Sequence, residues 1–387
     1  MSRLARPLPR LLDVEGEELV EPSSKPTMEE RARLAAEAFE AVPFEPGNED
    51  SPFDLLLSFA ARSQISREAD QNPDLAGRNP IYEKHFPAFE PVEIPVDDDL
   101  SLTGHRSTGA PGAPVIIVVH GMFDSHTTWY VAEYAELLRR WGFHVVALDM
   151  RDHGQLLDKS RTSLGLAEGK DLFQAARVLA QAEGVSVGIL GFSFGGACAV
   201  RAAYEASQED EAEILKGGVF SMSAPLNIHE AVAALDDPDQ HLPRGNSLKD
   251  RLVMRGLNRT FQRHLKLRAK RAGPLDSPID DFESFIRAVI LPSYPNEPGL
   301  VGAFLGKARA NQEEIMGAIQ CPTALLHSVD DPVVLATHML SAQKAAGENS
   351  WVTSRLLPRG GHLGAAYLDP KSILAMLNAW FGTLRDG

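Results

Sequence analysis

The sequence predicts an α/β fold, a mostly parallel sheet covered by helices on both faces, and three observations carry that prediction. From Phe89 onward, strand-like and helix-like stretches follow one another in turn, the alternation that builds parallel sheets. The run Val115 to Val119 is wholly β-branched, as in a strand covered on both faces. The pentapeptide Gly191-Phe192-Ser193-Phe194-Gly195 stands between an apolar strand and a helix, where a sharp turn favours glycines.

Residues 1–88 read as an N-terminal helical extension, because short helical patterns there alternate with Pro- and Gly-containing breaks and not with strands. Glu29 to Val42 predicts a helix rich in Ala, Glu and Arg, and Pro52 to Ile65 predicts another carrying Phe53, Leu55, Leu56, Leu57 and Phe59. That second helix needs a cover. Packing against the main domain is the plain reading, with an oligomer contact or a lid as the alternatives.

Residues 89–225 form the first part of the core. Glu90 to Val96 and Leu100 to Arg106 flank an acidic turn and predict a hairpin, followed by the buried strand Val115 to Val119. Helical spacing over Trp129 to Trp141, an apolar strand over Phe143 to Leu148, a helix over Lys170 to Ala182 and a strand over Val185 to Leu190 continue the alternation. A helix over Gly195 to Glu205 and a strand over Gly218 to Met222 complete this part.

The alternation then stops, and residues 226–318 give helical segments without a good strand, which predicts a cap inserted into the core. Within it Arg251, Arg255, Arg259, Arg263, Lys266, Arg268, Lys270 and Arg271 are interleaved with Leu252, Leu257, Phe261, Leu265 and Leu267. A cap helix with a solvated charged face explains this pattern; docking on anionic lipid or an acidic acyl substrate is the alternative. Residues 319–387 return to the core, with strands at Thr323 to His327 and Trp351 to Leu357 and a last helix from about Pro370 to Leu384.

A chain of 387 residues suits one core with additions. Its formal charge of −15 repels phosphate backbones and argues against nucleic-acid partners. The arginines and prolines of the first ten residues do not form a secretory leader. Cys198 and Cys321 both sit in apolar sequence, which fits buried thiols better than a disulfide or a metal site. A cytoplasmic protein without metal or other cofactor is the resulting expectation. No dinucleotide fingerprint follows a strand and no His-Glu-x-x-His lies on a helix.

The chemistry collects at four places. Ser193 occupies the turn between strand and helix, a nucleophile's position, and Phe194 opens the helix and can offer its backbone N–H to a developing oxyanion. His120-Gly121-Met122 follows the strand Val115 to Val119, which makes the Met122 N–H the second donor and gives His120 the structural task of holding that loop. Asp331, immediately before Pro332, ends a strand in an acidic loop and is the candidate acid, with Asp330 as the alternative. His362, within Gly360-Gly361-His362-Leu363-Gly364, is the candidate base. Phe123, Phe192 and Trp129 are candidate apolar walls for a substrate, or core.

These residues make the chain resemble the α/β-hydrolase superfamily over roughly Pro91 to Phe381, and within it the YheT-like branch of esterases and acyltransferases. His120-Gly-Met, Gly191-Phe-Ser-Phe-Gly-Gly, Cys321-Pro-Thr leading to Asp330-Asp331-Pro332, Gly360-Gly-His362 and Ser223-Ala-Pro225-Leu226 carry the likeness. It departs at Phe194, where Leu is common, at Leu335, where Pro is common, and throughout the N-terminal arm. The chain order Ser193, Asp331, His362 is the hydrolase order. The resemblance implies hydrolysis of a small-molecule acyl ester through an acyl-enzyme on Ser193. Transfer of the acyl group to an alcohol is the alternative, and a non-catalytic binding protein of the same fold is another.

Overall fold

The computed structural model describes residues 27–46, 51–58, 88–157, 159–237, 248–275 and 277–385. The predicted helix from Pro52 is described over residues 52–58, and its remainder lies outside the described residues. The strands are β1 (Glu90–Asp97), β2 (Leu100–Ser107), β3 (Val115–Val119), β4 (His144–Leu148), β5 (Val187–Phe192), β6 (Val219–Met222), β7 (Thr323–Ser328) and β8 (Val352–Leu357). The longer helices are α1 (Met28–Ala41), α2 (Trp129–Arg140), α3 (Leu166–Glu183), α4 (Phe194–Gln208), α5 (Ile228–Asp236), α6 (Leu248–Ala272), α7 (Val301–Ala308), α8 (Thr337–Ala346) and α9 (Pro370–Leu384). This is an α/β-hydrolase fold, and each predicted core strand is found within two residues of its predicted place.

The strands form one 8-stranded sheet in the order β1-β2-β4-β3-β5-β6-β7-β8. β1 pairs antiparallel with β2 and β2 antiparallel with β4, and every later pairing is parallel. The central strands β3, β4, β5 and β6 are buried along their whole length, which is why they read as unbroken apolar runs. Register decides where the loops emerge. Val119 lies opposite Leu148 and Gly191, Phe192 opposite Met222, Met222 opposite Leu326, and Ser328 opposite Leu357. The carboxyl ends are therefore level, and the loops after β3, β5, β6, β7 and β8 rise from one edge.

One face of the sheet is covered by α1, α2 and α9, through Phe39, Trp129, Leu138, Trp380 and Phe381. The other carries α3, α4 and α8, with Phe173, Leu179, Val200 and Met339. The described part of the arm is thus packed on the core. Thr27 caps α1 by accepting the Glu30 N–H at 3.2 Å, and Phe39, fully buried, meets Phe220 and Trp380 edge-on with centroids 5.6 and 6.2 Å away. Arg355 donates to the Phe39 carbonyl at 2.8 Å, and Arg31 to that of Arg385 at 3.2 Å. The short helix at residues 52–58 buries Phe53 and Leu56 against Met254 of α6, with Val333 packed alongside.

Between β6 and β7 run α5, α6, a helix over Phe282–Phe285 that continues through a π-turn at Ile286–Ile290 to Leu291–Ser293, and α7. This insertion has its own apolar cluster, which takes in Phe123, Leu164 and Leu166 from the sheet domain. On α6 the side chains of Arg251, Arg255, Arg259, Arg263, Lys266, Lys270 and Arg271 are exposed. Arg268, read from sequence as part of that solvated face, is instead buried, because it turns inward to Asp152, 3.3 Å away. Among the described residues no helix is long and apolar enough to cross a membrane.

Candidate active site

Ser193 sits at φ 50° and ψ −120°, an unfavourable backbone state for a residue with a side chain. The surrounding chain enforces it. A Cβ on Gly191 would come within 2.4 Å of the Gly195 carbonyl oxygen, and one on Gly195 within 2.4 Å of that of His120, so strand, turn and helix pass too closely for any larger residue. The Ser193 N–H donates to the Met222 carbonyl at 2.8 Å. The turn thereby lifts the hydroxyl above the sheet edge at the start of α4, whose first amides have no carbonyl one turn earlier to bond and carry a partial positive charge.

His362 and Asp331 arrive from the loops after β8 and β7. His362 Nε2 lies 3.0 Å from Ser193 Oγ, and its Nδ1 lies 2.8 Å from Asp331 Oδ2. The other carboxylate oxygen of Asp331 accepts the N–H groups of Val333 and Val334 at 2.8 and 2.9 Å, so both oxygens are engaged. Burial by itself raises the Asp331 carboxyl, yet the charge and hydrogen bond of His362, with the charge of His327, outweigh it and hold the group below its ordinary 3.8. Asp330 has a different partner, accepting the Gly361 N–H at 2.8 Å. The neighbouring aspartates divide the work: Asp331 engages the imidazole ring and Asp330 the loop that carries it.

His120 holds the loop after β3. The Met150 N–H donates to its Nε2 at 3.1 Å, which leaves the proton on Nδ1 to donate to the Gly121 carbonyl at 2.7 Å. Burial, the strongest influence, lowers its basicity and keeps it neutral. Tyr130 adds a second tie that periodicity did not reveal: its hydroxyl accepts the Gly121 N–H at 2.7 Å and donates to Asp124 at 3.0 Å. A Cβ on Gly121 would lie 3.3 Å from the Cβ of Ser193, so the backbone leading into Met122 runs directly beside the serine.

The three aromatic candidates separate. Trp129 is fully buried and packs on Tyr130 and Tyr367, while Phe192 lies under Tyr130 and Tyr134. Both belong to the core instead of to a substrate wall, since strand β5 and the first turn of α2 point them into the helix layer. Phe123 is placed differently, at φ 65° between the loop after β3 and the insertion. His153 and Asp152, in the loop after β4, are buried as well, with the His153 ring stacked on Phe123. Cys198 and Cys321 are free, buried thiols.

A profile described as Alpha/beta hydrolase family matches residues 116–375. No curated protein matches the chain by sequence. In structure the chain is similar to the esterase Pf2001 of Pyrococcus furiosus. One crystal form gives a TM-score of 0.52 at 18% identity, over 77% of this chain and 94% of that one. Another gives 0.51 at 16% identity, over 95% and 98%. Likeness at such identities speaks for the fold, and the profile match, spanning more than half of the sequence from β3 to α9, speaks for descent: the chain belongs to the alpha/beta hydrolase family.

Proposed function

We propose that the protein is a serine hydrolase that cleaves carboxylic esters of small molecules through an acyl-enzyme on Ser193. The observation that carries this reading is the unbroken chain from Ser193 Oγ to His362 Nε2, 3.0 Å, and from His362 Nδ1 to Asp331, 2.8 Å. An ionised Asp331 accepts the Nδ1 proton, which turns the lone pair of Nε2 toward the hydroxyl. Ser193 Oγ attacks the ester carbonyl as His362 takes its proton, and the imidazolium so formed is stabilised by the carboxylate. The tetrahedral oxyanion is received by the backbone N–H groups of Met122 and Phe194, a donor of this kind being worth about 3–4 kcal/mol in the transition state. His362 returns its proton to the departing alkoxide. Water, deprotonated by His362, then attacks the acyl carbonyl, and the bond from acyl carbon to Ser193 Oγ breaks as His362 gives that proton to Oγ, which releases the acid and restores the serine. The stretches around His120, Gly191, Asp331 and His362 that resemble the YheT-like branch support esters over other substrates of the fold.

The test is turnover of p-nitrophenyl esters of graded chain length by the native protein and by Ser193→Ala, with fluorophosphonate labelling of both. Turnover and labelling that vanish in the variant are the expected result. Turnover that survives in Ser193→Ala overturns the mechanism, and an unlabelled native protein without turnover favours a binding protein of this fold.

A further inference from the structure

Phe123 follows Met122 directly, and its ring is held from the insertion. The guanidinium carbon of Arg268 lies 4.4 Å above the ring centroid and the imidazole of His264 stacks at 5.1 Å with 12° between planes. Phe261 and Phe282 close the cage at 5.4 and 6.2 Å. Phe261, His264 and Arg268 recur at three- and four-residue intervals, so a single face of α6 supplies three of these contacts. On its sheet side Phe123 stacks with His153 at 6.4 Å, and His153 stacks in turn with Phe194 at 6.2 Å. The array therefore runs from the insertion through the neighbour of one proposed oxyanion donor to the side chain of the other.

Arg268 joins the two ends. It donates to the Asp152 carbonyl at 2.9 Å and its Nε is 3.3 Å from the Asp152 carboxylate, so one side chain grips both the Phe123 ring and the turn that carries His153. Arg268 and Asp152 are nearly inaccessible to water, at 6% and 1% exposure. A buried ion pair is a poor source of stability compared with packed apolar side chains, and its clearest use is to specify an arrangement. Here the arrangement concerns Phe123, held at φ 65°, which favours relaxation unless the ring is clamped.

We propose that Arg268 is a positioning residue: from the insertion it clamps Phe123 and the Asp152-His153 turn, and so fixes the Met122 N–H where the oxyanion forms. The inference rests on the serine-hydrolase reading. It makes the contact of α6 with the sheet domain part of what completes the hole.

The test uses the full chain with Arg268→Met, which keeps the stem's bulk, Arg268→Lys, which keeps the charge without the planar fork, and Phe123→Leu. In the methionine variant kcat falls about 10- to 100-fold with KM changed less than about 3-fold, because only the transition state uses the hole. The lysine variant recovers part of the rate. Arg268→Met combined with Phe123→Leu loses little more than either alone, as residues acting through one contact do. Hydrogen exchange of residues 120–126 supplies a readout independent of turnover, expected to quicken at least tenfold in Arg268→Met while exchange in β5 and β6 stays unchanged. Unchanged exchange at residues 120–126, or a loss confined to KM, overturns the clamp. Native protein without Ser193-dependent turnover overturns the serine-hydrolase reading, and the exchange comparison still decides whether Arg268 holds the loop.

Discussion

A serine hydroxyl at ordinary acidity attacks esters poorly, and on the proposed reading it is the orientation of a neighbouring ring that makes Ser193 a nucleophile. Asp331 sets that ring. Replacing it by Asn keeps the shape but turns the imidazole to the wrong tautomer, and kcat is expected to fall by about 10⁴-fold with little change in KM, measured on the best p-nitrophenyl ester. The same substitution reports on acid stability. Because the folded Asp331 lies below its ordinary 3.8, the unfolded chain binds its proton first as pH falls, so the carboxylate stabilises the fold above that value and ceases to do so as pH drops through the folded one. Urea midpoints followed from about pH 5 downward should decline less steeply in Asp331→Asn than in the native chain, once other carboxylates are held common. The thiols give a simpler expectation. Burial pushes Cys321 up to about 12 and Cys198 well above its ordinary value, so iodoacetamide at pH 8 should label neither until the protein is unfolded. That Ser193, His362 and the acidic loop after β7 would meet was legible in loop order and strand context, whereas Asp330 stayed open as the alternative until Asp331 was seen on the ring. Tyr130 was not, since a tyrosine in the first turn of an amphipathic helix looks apolar until its hydroxyl is seen on Gly121.

At the scale of elements, strands were easier to read than their attachments. β3 to β6 are buried on both faces and write that condition directly as apolar runs, whereas α1 and the helix at residues 52–58 owe their places to partners about 180 to 350 residues away. Phe39 is one such attachment, wedged against Phe220 and Trp380. Its replacement by Ala should cost about 3–5 kcal/mol, a transfer and cavity cost for a fully buried phenyl ring, read from denaturant unfolding at constant slope. The helix at residues 52–58 should behave otherwise. It touches the loop that carries His362, where a Cβ on Gly361 would lie 3.1 Å from the Pro52 carbonyl oxygen and one on Gly364 3.0 Å from Leu55, and it reaches Val333, two residues beyond Asp331. Phe53→Ala is therefore expected to lower turnover more than its loss of stability explains, by about tenfold. Equal turnover at full folding would show the helix to be a passive cover.

For the whole molecule, the interruption of the sheet was visible as a change of period, because between β6 and β7 the described residues form helices and no strand. The contact between insertion and sheet was not visible. Arg268 shares its spacing with a run of solvent-facing bases, and only the tertiary fold turns it inward to Asp152 while its neighbours face water. Charge patterning along a helix gives its average environment, and a single inward member is hidden inside that average.

The stitching of α1 to α9 and β8 has a consequence for how the chain comes to be folded. A ribosome delivers Phe39 long before Trp380, and Pro52 long before Gly361, so the earliest helices emerge with apolar faces whose partners do not yet exist. The turn bearing Ser193 and its sheet neighbours β3 to β6 can close while the last third of the chain is still being made. His362 cannot take its place until β8 and the loop after it have been made. A prematurely terminated product that ends before β8 thus holds Ser193 without His362, and on the proposed reading it carries a nucleophile without its base.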